Sequence, residues 1–303
     1  MPNFVLEDRS PDTRYAIRQG RAIQMALREL SDGTNTSEHK SFEDLEQISD
    51  STPSEMAAEV RSYLGINLIT QSRWHNVDEA LKTWRKVVQE FGVYIFKWSF
   101  NQRTVSGFSL HHEECPLIYL NNSNAFTRQI FTIFHELAHI LYHTSGVAKI
   151  DDSYIDELEG TSRRIEMSCN EFAAELLVPS EDFTRWEDRV LFDDVFFDLA
   201  SQNYQVSREV ILRKLRDHGR VGQEFYDSKI SQWTNDFQNG RDGGGEGNYY
   251  NNQVAYFGDK FLSLAFGSLH QGRCTAEQLS EYMNVKVRNL PALEEAFLGR
   301  SSS

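Results

Sequence analysis

The sequence predicts an α+β protein: a mostly helical domain around one small antiparallel sheet, followed by a helical C-terminal module. Two observations support this class. Apolar residues recur at three- and four-residue spacing along most of the chain, while β-branched and aromatic runs are confined to residues 93–120. With 303 residues and 40% apolar content, the chain can bury a core in one large domain or two smaller ones.

The N-terminal part predicts helices separated by a polar tether. Apolar residues form one stripe along residues 12–30, whereas residues 31–53 are rich in Ser, Thr, Asp and Glu. Two further helices are expected at residues 54–64, with Ser54 as the N-cap, and at residues 77–91.

The middle of the chain predicts the sheet. Short β-branched or aromatic runs at residues 93–100, 105–111 and 117–120 are separated by polar, turn-like residues. Three antiparallel strands are the simplest interpretation of this pattern.

Two long helices are expected after the strands. The first is capped by Asn124 and reaches about residue 143, and the second spans residues 161–178 and is ended by Pro179. Shorter helices follow to about residue 237.

A glycine-rich run, NGRDGGGEG, is the clearest linker in the chain. We therefore divide the sequence into an N-terminal helical arm and tether at residues 1–53 and a main domain at 54–238. The linker occupies residues 239–248, and a helical C-terminal module occupies residues 249–303.

Charge and cysteine content limit the functional classes. The net charge of −14 argues against a protein that coats DNA or an anionic membrane, so direct nucleic-acid binding is not expected. The three cysteines form no CxxC pair, which argues against a disulfide framework and a thiolate zinc site. No signal peptide or membrane-length apolar run is present, so we expect a cytoplasmic protein.

The strongest chemical signal is the HExxH motif formed by His135, Glu136 and His139. Residues four apart lie on one face of a helix, so both imidazoles can reach one Zn²⁺ ion. Glu136 is then placed beside the metal, where it can take a proton from the attacking water. Apolar flanking residues favour a buried active-site helix over two surface histidines. We therefore expect residues 54–238 to form a zinc metallopeptidase domain.

A catalytic zinc needs a third protein ligand. The sequence offers a set of candidates on or after the motif helix: His143, Glu157, Glu159, Glu166, Glu171 and Glu175. Glu166 is preferred because it flanks the apolar face of the next long helix. His143 continues the stripe of His135 and His139, and is better explained as a hydrogen-bonded neighbour of the site. Tyr142 and Tyr154 are candidate donors to a developing oxyanion, although ordinary surface exposure or packing is the more common role of such residues.

Three linked segments resemble the ImmA/IrrE family of zinc metallopeptidases. They read GFSLHHEECPLIYLNN, RQIFTIFHELAHILYH and EMSCNEFAAELLVP, in this order, and the similarity extends over about residues 54–230. The resemblance implies that Glu166, which opens the third segment, is the third zinc ligand. Cys169 departs from the family pattern, which often has Ala there, and leaves open whether a thiol touches the metal.

The resemblance also implies a biological role. Family members cleave a specific repressor, or trigger its removal, and this target is often an Xre-type regulator. They act in mobile-element control, stress response and toxin–antitoxin pairs. We therefore expect a selective zinc endopeptidase with one protein substrate. The alternative is a non-catalytic interaction protein or toxin component that binds a transcription factor through a peptidase-like fold.

Overall fold

A computed structural model describes residues 11–31, 51–99, 104–149, 155, 158–188, 191–239 and 249–301. It confirms the α+β class, with helices packed on a small sheet. The helices are α1 (Pro11–Leu30), α2 (Pro53–Tyr63), α3 (Leu68–Ser72), α4 (Val77–Glu90), α5 (Phe126–Leu141), α6 (Gly160–Leu177), α7 (Ser180–Glu187), α8 (Asp194–Tyr204), α9 (Arg208–Asp217), α10 (Gln223–Asn239), α11 (Tyr249–Phe257), α12 (Asp259–His270), α13 (Ala276–Met283) and α14 (Leu290–Ser301). The strands are β1 (Tyr94–Trp98), β2 (Val105–Leu110), β3 (Leu117–Asn121) and β4 (Val147–Lys149).

Two predicted helix caps need correction. Thr52, not Ser54, caps α2, because Thr52 and Glu55 form a reciprocal capping box and Pro53 occupies the first turn. Asn124 does not cap α5: the cap position is Ala125, which makes no side-chain hydrogen bond. The Asn124 carbonyl instead accepts a hydrogen bond from the side chain of Gln129.

The predicted antiparallel sheet also needs correction. The sheet has four strands in the order β1-β3-β2-β4, and β1 pairs with β3 in parallel. The pairs β2–β3 and β2–β4 are antiparallel. The alternation of side chains along a strand predicts which face of the sheet each residue occupies, but not which strand lies beside it. Strand β4 was not predicted because three residues are too few to show an alternating pattern.

Both faces of the sheet are buried. Ile95, Ile118 and Leu120 belong to a core that includes residues of α2, α4, α5, α6, α8 and α9. Tyr94 and Phe96, which alternate with Ile95 along β1, belong to a second core built with α1 and helices α11–α14. The C-terminal helices therefore cover the sheet face opposite to α5.

The C-terminal helices are tied to the main domain by hydrogen bonds as well as apolar contacts. Arg85 of α4 donates to the carbonyl oxygens of Ala255 and Tyr256 at the end of α11. The apolar spacing predicts one helix over residues 254–269, but the structure divides this segment at Gly258, whose φ of +81° favours glycine. The proposed linker lies outside the described residues after Asn239, and the domain boundaries stay a prediction.

Helix α6 is fixed at its C-terminal end by buried polar groups. Arg61 donates to the Leu176 carbonyl, and Gln71 donates to the Leu177 carbonyl at 3.0 Å. These donors satisfy carbonyl groups that a helix end leaves without partners. Lys214 of α9, only 4% exposed, forms an ion pair with Glu175 of α6.

In the described part of the chain, no helix is both long and apolar enough to span a bilayer.

Gly107 of β2 lies close against α5. A Cβ atom at this position would lie 2.6 Å from the Thr132 side chain and 2.6 Å from the Tyr119 carbonyl oxygen. Since the carbonyl belongs to the central strand β3, it has little freedom to move. Glycine at this position therefore lets the HExxH helix lie directly on β2.

Replacing Gly107 by Ala is expected to lower the free energy of unfolding by about 1–3 kcal/mol, because the added methyl group overpacks this contact. Urea denaturation followed by circular dichroism measures the change. Gly267→Ala in α12 is the matched control: its Cβ would meet no atom within 4 Å, so this variant should be as stable as the parent or slightly more stable. Equal stability of the two variants would contradict the packing described here.

Candidate metal centre

The HExxH motif lies in the buried second half of α5. His135, Glu136 and His139 are 3%, 0% and 2% exposed, respectively. The helix forms here because apolar side chains occupy the remaining directions: Ile133, Phe134, Leu137 and Ile140 are all in the core on the side of α6. Burial of three titratable groups on one helical segment requires compensating partners.

The structure brings Glu166 of α6 to the two histidines. His135 Nε2 and His139 Nε2 are 3.2 Å apart. Each lies 3.4 Å from a different carboxylate oxygen of Glu166. His135, His139 and Glu166 are the group of possible metal ligands found among the described residues, and we call them the ligand triangle.

The dimensions of the ligand triangle fit a tetrahedral metal site. Ligands at about 2.0–2.1 Å from a tetrahedral Zn²⁺ lie about 3.3–3.4 Å from one another. The two imidazole nitrogens, 3.2 Å apart, are close to this value. Glu166 presents a different oxygen 3.4 Å from each nitrogen, and one ligand atom from each of the three residues lies within 4.8 Å of the other two. The two imidazoles and one carboxylate can therefore form one face of a tetrahedron and leave its fourth corner open.

The second nitrogen of each imidazole is held by a hydrogen-bond acceptor. His135 Nδ1 lies 2.8 Å from Asn170 Oδ1, and His139 Nδ1 lies 3.1 Å from Thr144 Oγ1. The Thr144 hydroxyl donates its own hydrogen to the His139 carbonyl at 3.0 Å, so its oxygen accepts from Nδ1. Both histidines are thus held as Nδ1–H tautomers that present an Nε2 lone pair to the triangle.

The turn after α5 completes the support of His139. His143 adopts a φ of +52° and ends the helix, which brings Thr144 back to the ring. A Cβ atom on Gly146 would lie 2.2 Å from the His139 ring, so only glycine fits against this ligand. Neither Thr144 nor Gly146 belongs to a sequence pattern that predicts this role, whereas Asn170 lies within the third family-like segment.

Glu136 has one fixed and one available oxygen. Its Oε1 accepts a hydrogen bond of 2.8 Å from the Ala148 amide of β4. Its Oε2 is buried and has no hydrogen-bond partner among the described residues. A buried carboxylate oxygen without a partner is costly, and such groups are typical of sites that receive a ligand or a proton.

Electrostatics also suit a cation at this position. Burial alone would raise the pKa of Glu166, but hydrogen bonds to His135 and His139 hold that pKa well below its ordinary value. Burial alone would lower the pKa of His135, but Glu166 and Glu136 raise it overall. The two carboxylates thus favour positive charge between the imidazoles.

The structure separates the other candidate residues from the ligand triangle. His143 is exposed and packs its ring on His111, with centroids 5.1 Å apart. Tyr142 is half-buried, and burial raises the pKa of its hydroxyl group. Tyr154 lies outside the described residues, so its predicted role as an oxyanion donor stays a prediction, as does that of Tyr142.

The remaining acids and the thiol have other surroundings. Glu175 is paired with Lys214, and Glu159 and Glu171 are exposed, while Glu157 lies outside the described residues. Cys169 is buried, and burial together with the charges of Glu166 and Glu136 raises the pKa of its thiol well above the ordinary value. The Cys169 thiol does not belong to the group of described residues whose atoms lie close enough together to hold one metal ion.

Comparison with known sequences supports this assignment. Residues 88–216 match the family model Peptidase_M78, described as an IrrE N-terminal-like domain. The matched segment extends from the end of α4 into α9 and contains the whole ligand triangle, Glu136 and Asn170. The resemblance to the ImmA/IrrE family is thereby confirmed. No curated protein matches the chain.

Loss of the acceptors behind the imidazoles should weaken metal binding. We expect Asn170→Ala and Thr144→Val each to lower the affinity for Zn²⁺ by about 10- to 100-fold, because the imidazoles lose the partners that fix their tautomer and orientation. Competition with a chromogenic zinc chelator measures the affinity. Ser162→Ala, at an exposed position of α6, is the control. Unchanged affinity in both test variants would contradict the assigned hydrogen bonds.

Proposed function

We propose that this chain, whose residues 88–216 belong to the IrrE N-terminal-like peptidase family, is a zinc-dependent endopeptidase selective for one protein partner. The observation that carries the proposal is the ligand triangle with Glu136 beside it. A metallopeptidase-like domain with two imidazoles and a carboxylate around an open corner has the donor set of catalytic zinc sites.

His135, His139 and Glu166 would hold the metal, since their two Nε2 atoms are 3.2 Å apart and each is 3.4 Å from a carboxylate oxygen of Glu166. When bound, zinc polarises the scissile carbonyl and makes water more acidic. Asn170 and Thr144 keep the two Nε2 lone pairs in place during this chemistry, because each occupies the opposite ring nitrogen.

Glu136 would move the protons of the reaction. Its Oε1 is anchored by the Ala148 amide, which leaves Oε2 to accept a proton from the attacking water. The same oxygen then returns the proton to the leaving amide nitrogen, so that the peptide bond breaks and Glu136 regains its initial charge. Anchoring one oxygen on β4 keeps the other at a constant position during both transfers.

The substrate class is proposed from the resemblance and from charge. A protein with a net charge of −14 attracts a basic partner, and a DNA-binding regulator of the Xre type has that character. We propose such a regulator or antitoxin as the substrate, in the cytoplasm, within a stress-response or toxin–antitoxin circuit. Selectivity for one partner accords with a catalytic group that is wholly buried.

Replacing Glu136 by Gln tests the catalytic role. The zinc-loaded variant should bind metal normally but cleave the Xre-type regulator proposed as its substrate about 10²–10⁴-fold more slowly, because the amide cannot accept the proton. Mass spectrometry of the fragments measures cleavage, and elemental analysis measures zinc. Glu171→Gln, an exposed acid on α6, should retain full activity.

Two outcomes would overturn the proposal. Cleavage by Glu136→Gln at the parental rate would exclude this residue as the base. Binding of the regulator without cleavage by the zinc-loaded parent protein would support the non-catalytic alternative, in which the peptidase fold only sequesters a transcription factor.

A further inference from the structure

The outer face of α1 carries a row of arginines in an otherwise acidic protein. Arg14, Arg18, Arg21 and Arg28 are exposed and follow one another at four-, three- and seven-residue spacing, which places them on one side of the helix. Met25, 65% exposed, fills the remaining position of this row. We call these five residues the arginine row.

The orientation of the arginine row is fixed by the opposite face of α1. Ile17, Ile23 and Leu27 are buried in the second core, on the sheet face opposite to α5. Gly20 lies directly on the sheet, where a Cβ would be 3.1 Å from the Phe108 ring. Gln24 donates to the carbonyl oxygens of Leu110 and Cys115. The arginines therefore project from a rigid, packed helix.

Most of the row has no internal partner. Arg28 lies 3.6 Å from Glu114, but no ion pair or hydrogen bond within the described chain involves Arg14, Arg18 or Arg21. Elsewhere, many arginines are engaged by carboxylates or backbone carbonyls, as for Arg61, Arg85, Arg128, Arg185, Arg208, Arg213, Arg216, Arg220 and Arg273. Three adjacent unpaired guanidinium groups are thus available to another molecule.

The composition of the row favours a protein ligand over a nucleic acid. Protein interfaces are enriched in Arg, Tyr and Met and depleted of Lys, and this face adds Tyr15, 42% exposed, to Met25 and the arginines. A guanidinium group pairs with a carboxylate through two parallel hydrogen bonds. The net charge of −14 would repel a long polyanion such as DNA.

We propose that the arginine row is a docking surface for an acidic helix of a partner protein, with carboxylates that match the arginine spacing and apolar side chains that contact Tyr15 and Met25. The row is on the sheet face opposite to the ligand triangle, so docking there leaves the metal centre uncovered. This surface is independent of the proposed peptidase activity and would serve recruitment or regulation of the chain.

An alanine-based helical peptide tests the proposal. Its four glutamates are spaced four, three and seven residues apart, like the four arginines, and binding to the whole chain is followed by fluorescence anisotropy at low salt. Arg14→Ser, Arg18→Ser and Arg21→Ser combined should weaken binding about tenfold, as expected when several surface ion pairs are lost together. The substitutions are at exposed sites, and circular dichroism checks that the fold is retained.

The control variant removes the same charge elsewhere. Arg73→Ser, Lys286→Ser and Arg288→Ser combined alter exposed cations outside α1 and should change binding less than twofold. Equal weakening of peptide binding in both variants would show that net charge alone causes the effect, and it would overturn the proposal. Failure of the parent protein to bind the peptide would also overturn it. Tighter binding of a random-sequence DNA duplex than of the peptide, lost in the α1 variant, would identify a nucleic-acid surface instead. Glu136→Gln should bind the peptide like the parent, which separates this test from that of the peptidase mechanism.

Discussion

The structure depends on one electrostatic constraint: two imidazole nitrogens and a carboxylate meet inside the protein at separations of 3.2 and 3.4 Å. Both nitrogens present lone pairs, because their rings donate at the opposite nitrogen to Asn170 and Thr144. Lone pairs at this distance repel unless a proton or a metal ion lies between them. The arrangement is therefore stabilised by a positive charge between the two Nε2 atoms and the Glu166 carboxylate.

The scaffold holds α5 and α6 against this repulsion. Gly107 allows α5 to lie on the sheet, and Gly146 allows the following turn to pass against the His139 ring. Arg61 and Gln71 fix the C-terminal carbonyls of α6, while Lys214 pairs with Glu175 on the same helix. A core on each face of the sheet gives these contacts a rigid base. These small residues and buried polar groups do not contact the metal site as ligands, but they hold α5 and α6 in the positions that bring the ligands together.

The candidate metal ligands were predictable from the sequence because their positions depend on residue spacing within helices. Two histidines four residues apart share a helix face whatever the fold, and the apolar face of the second helix favoured Glu166 before the family resemblance pointed to it. Strand order was not predictable, since the alternation in β1 and β3 does not encode that they pair in parallel. Thr144 was missed because a single hydroxyl in a turn has no periodic signal. The arginines of α1 were visible in the sequence, but only the packed helix shows that Arg14, Arg18 and Arg21 have no ion-pair partner among the described residues.

X-ray absorption spectroscopy of the zinc-loaded protein tests the ligand triangle most directly. The account predicts only nitrogen and oxygen neighbours at about 2.0–2.1 Å, with the multiple scattering of two imidazoles. It also predicts that the imidazole count stays at two in Glu166→Ala if that variant retains any metal. Sulfur at about 2.3 Å would place Cys169 in the coordination shell, and a third imidazole in the parent protein would place another histidine there. Either result would contradict a centre built from His135, His139 and Glu166.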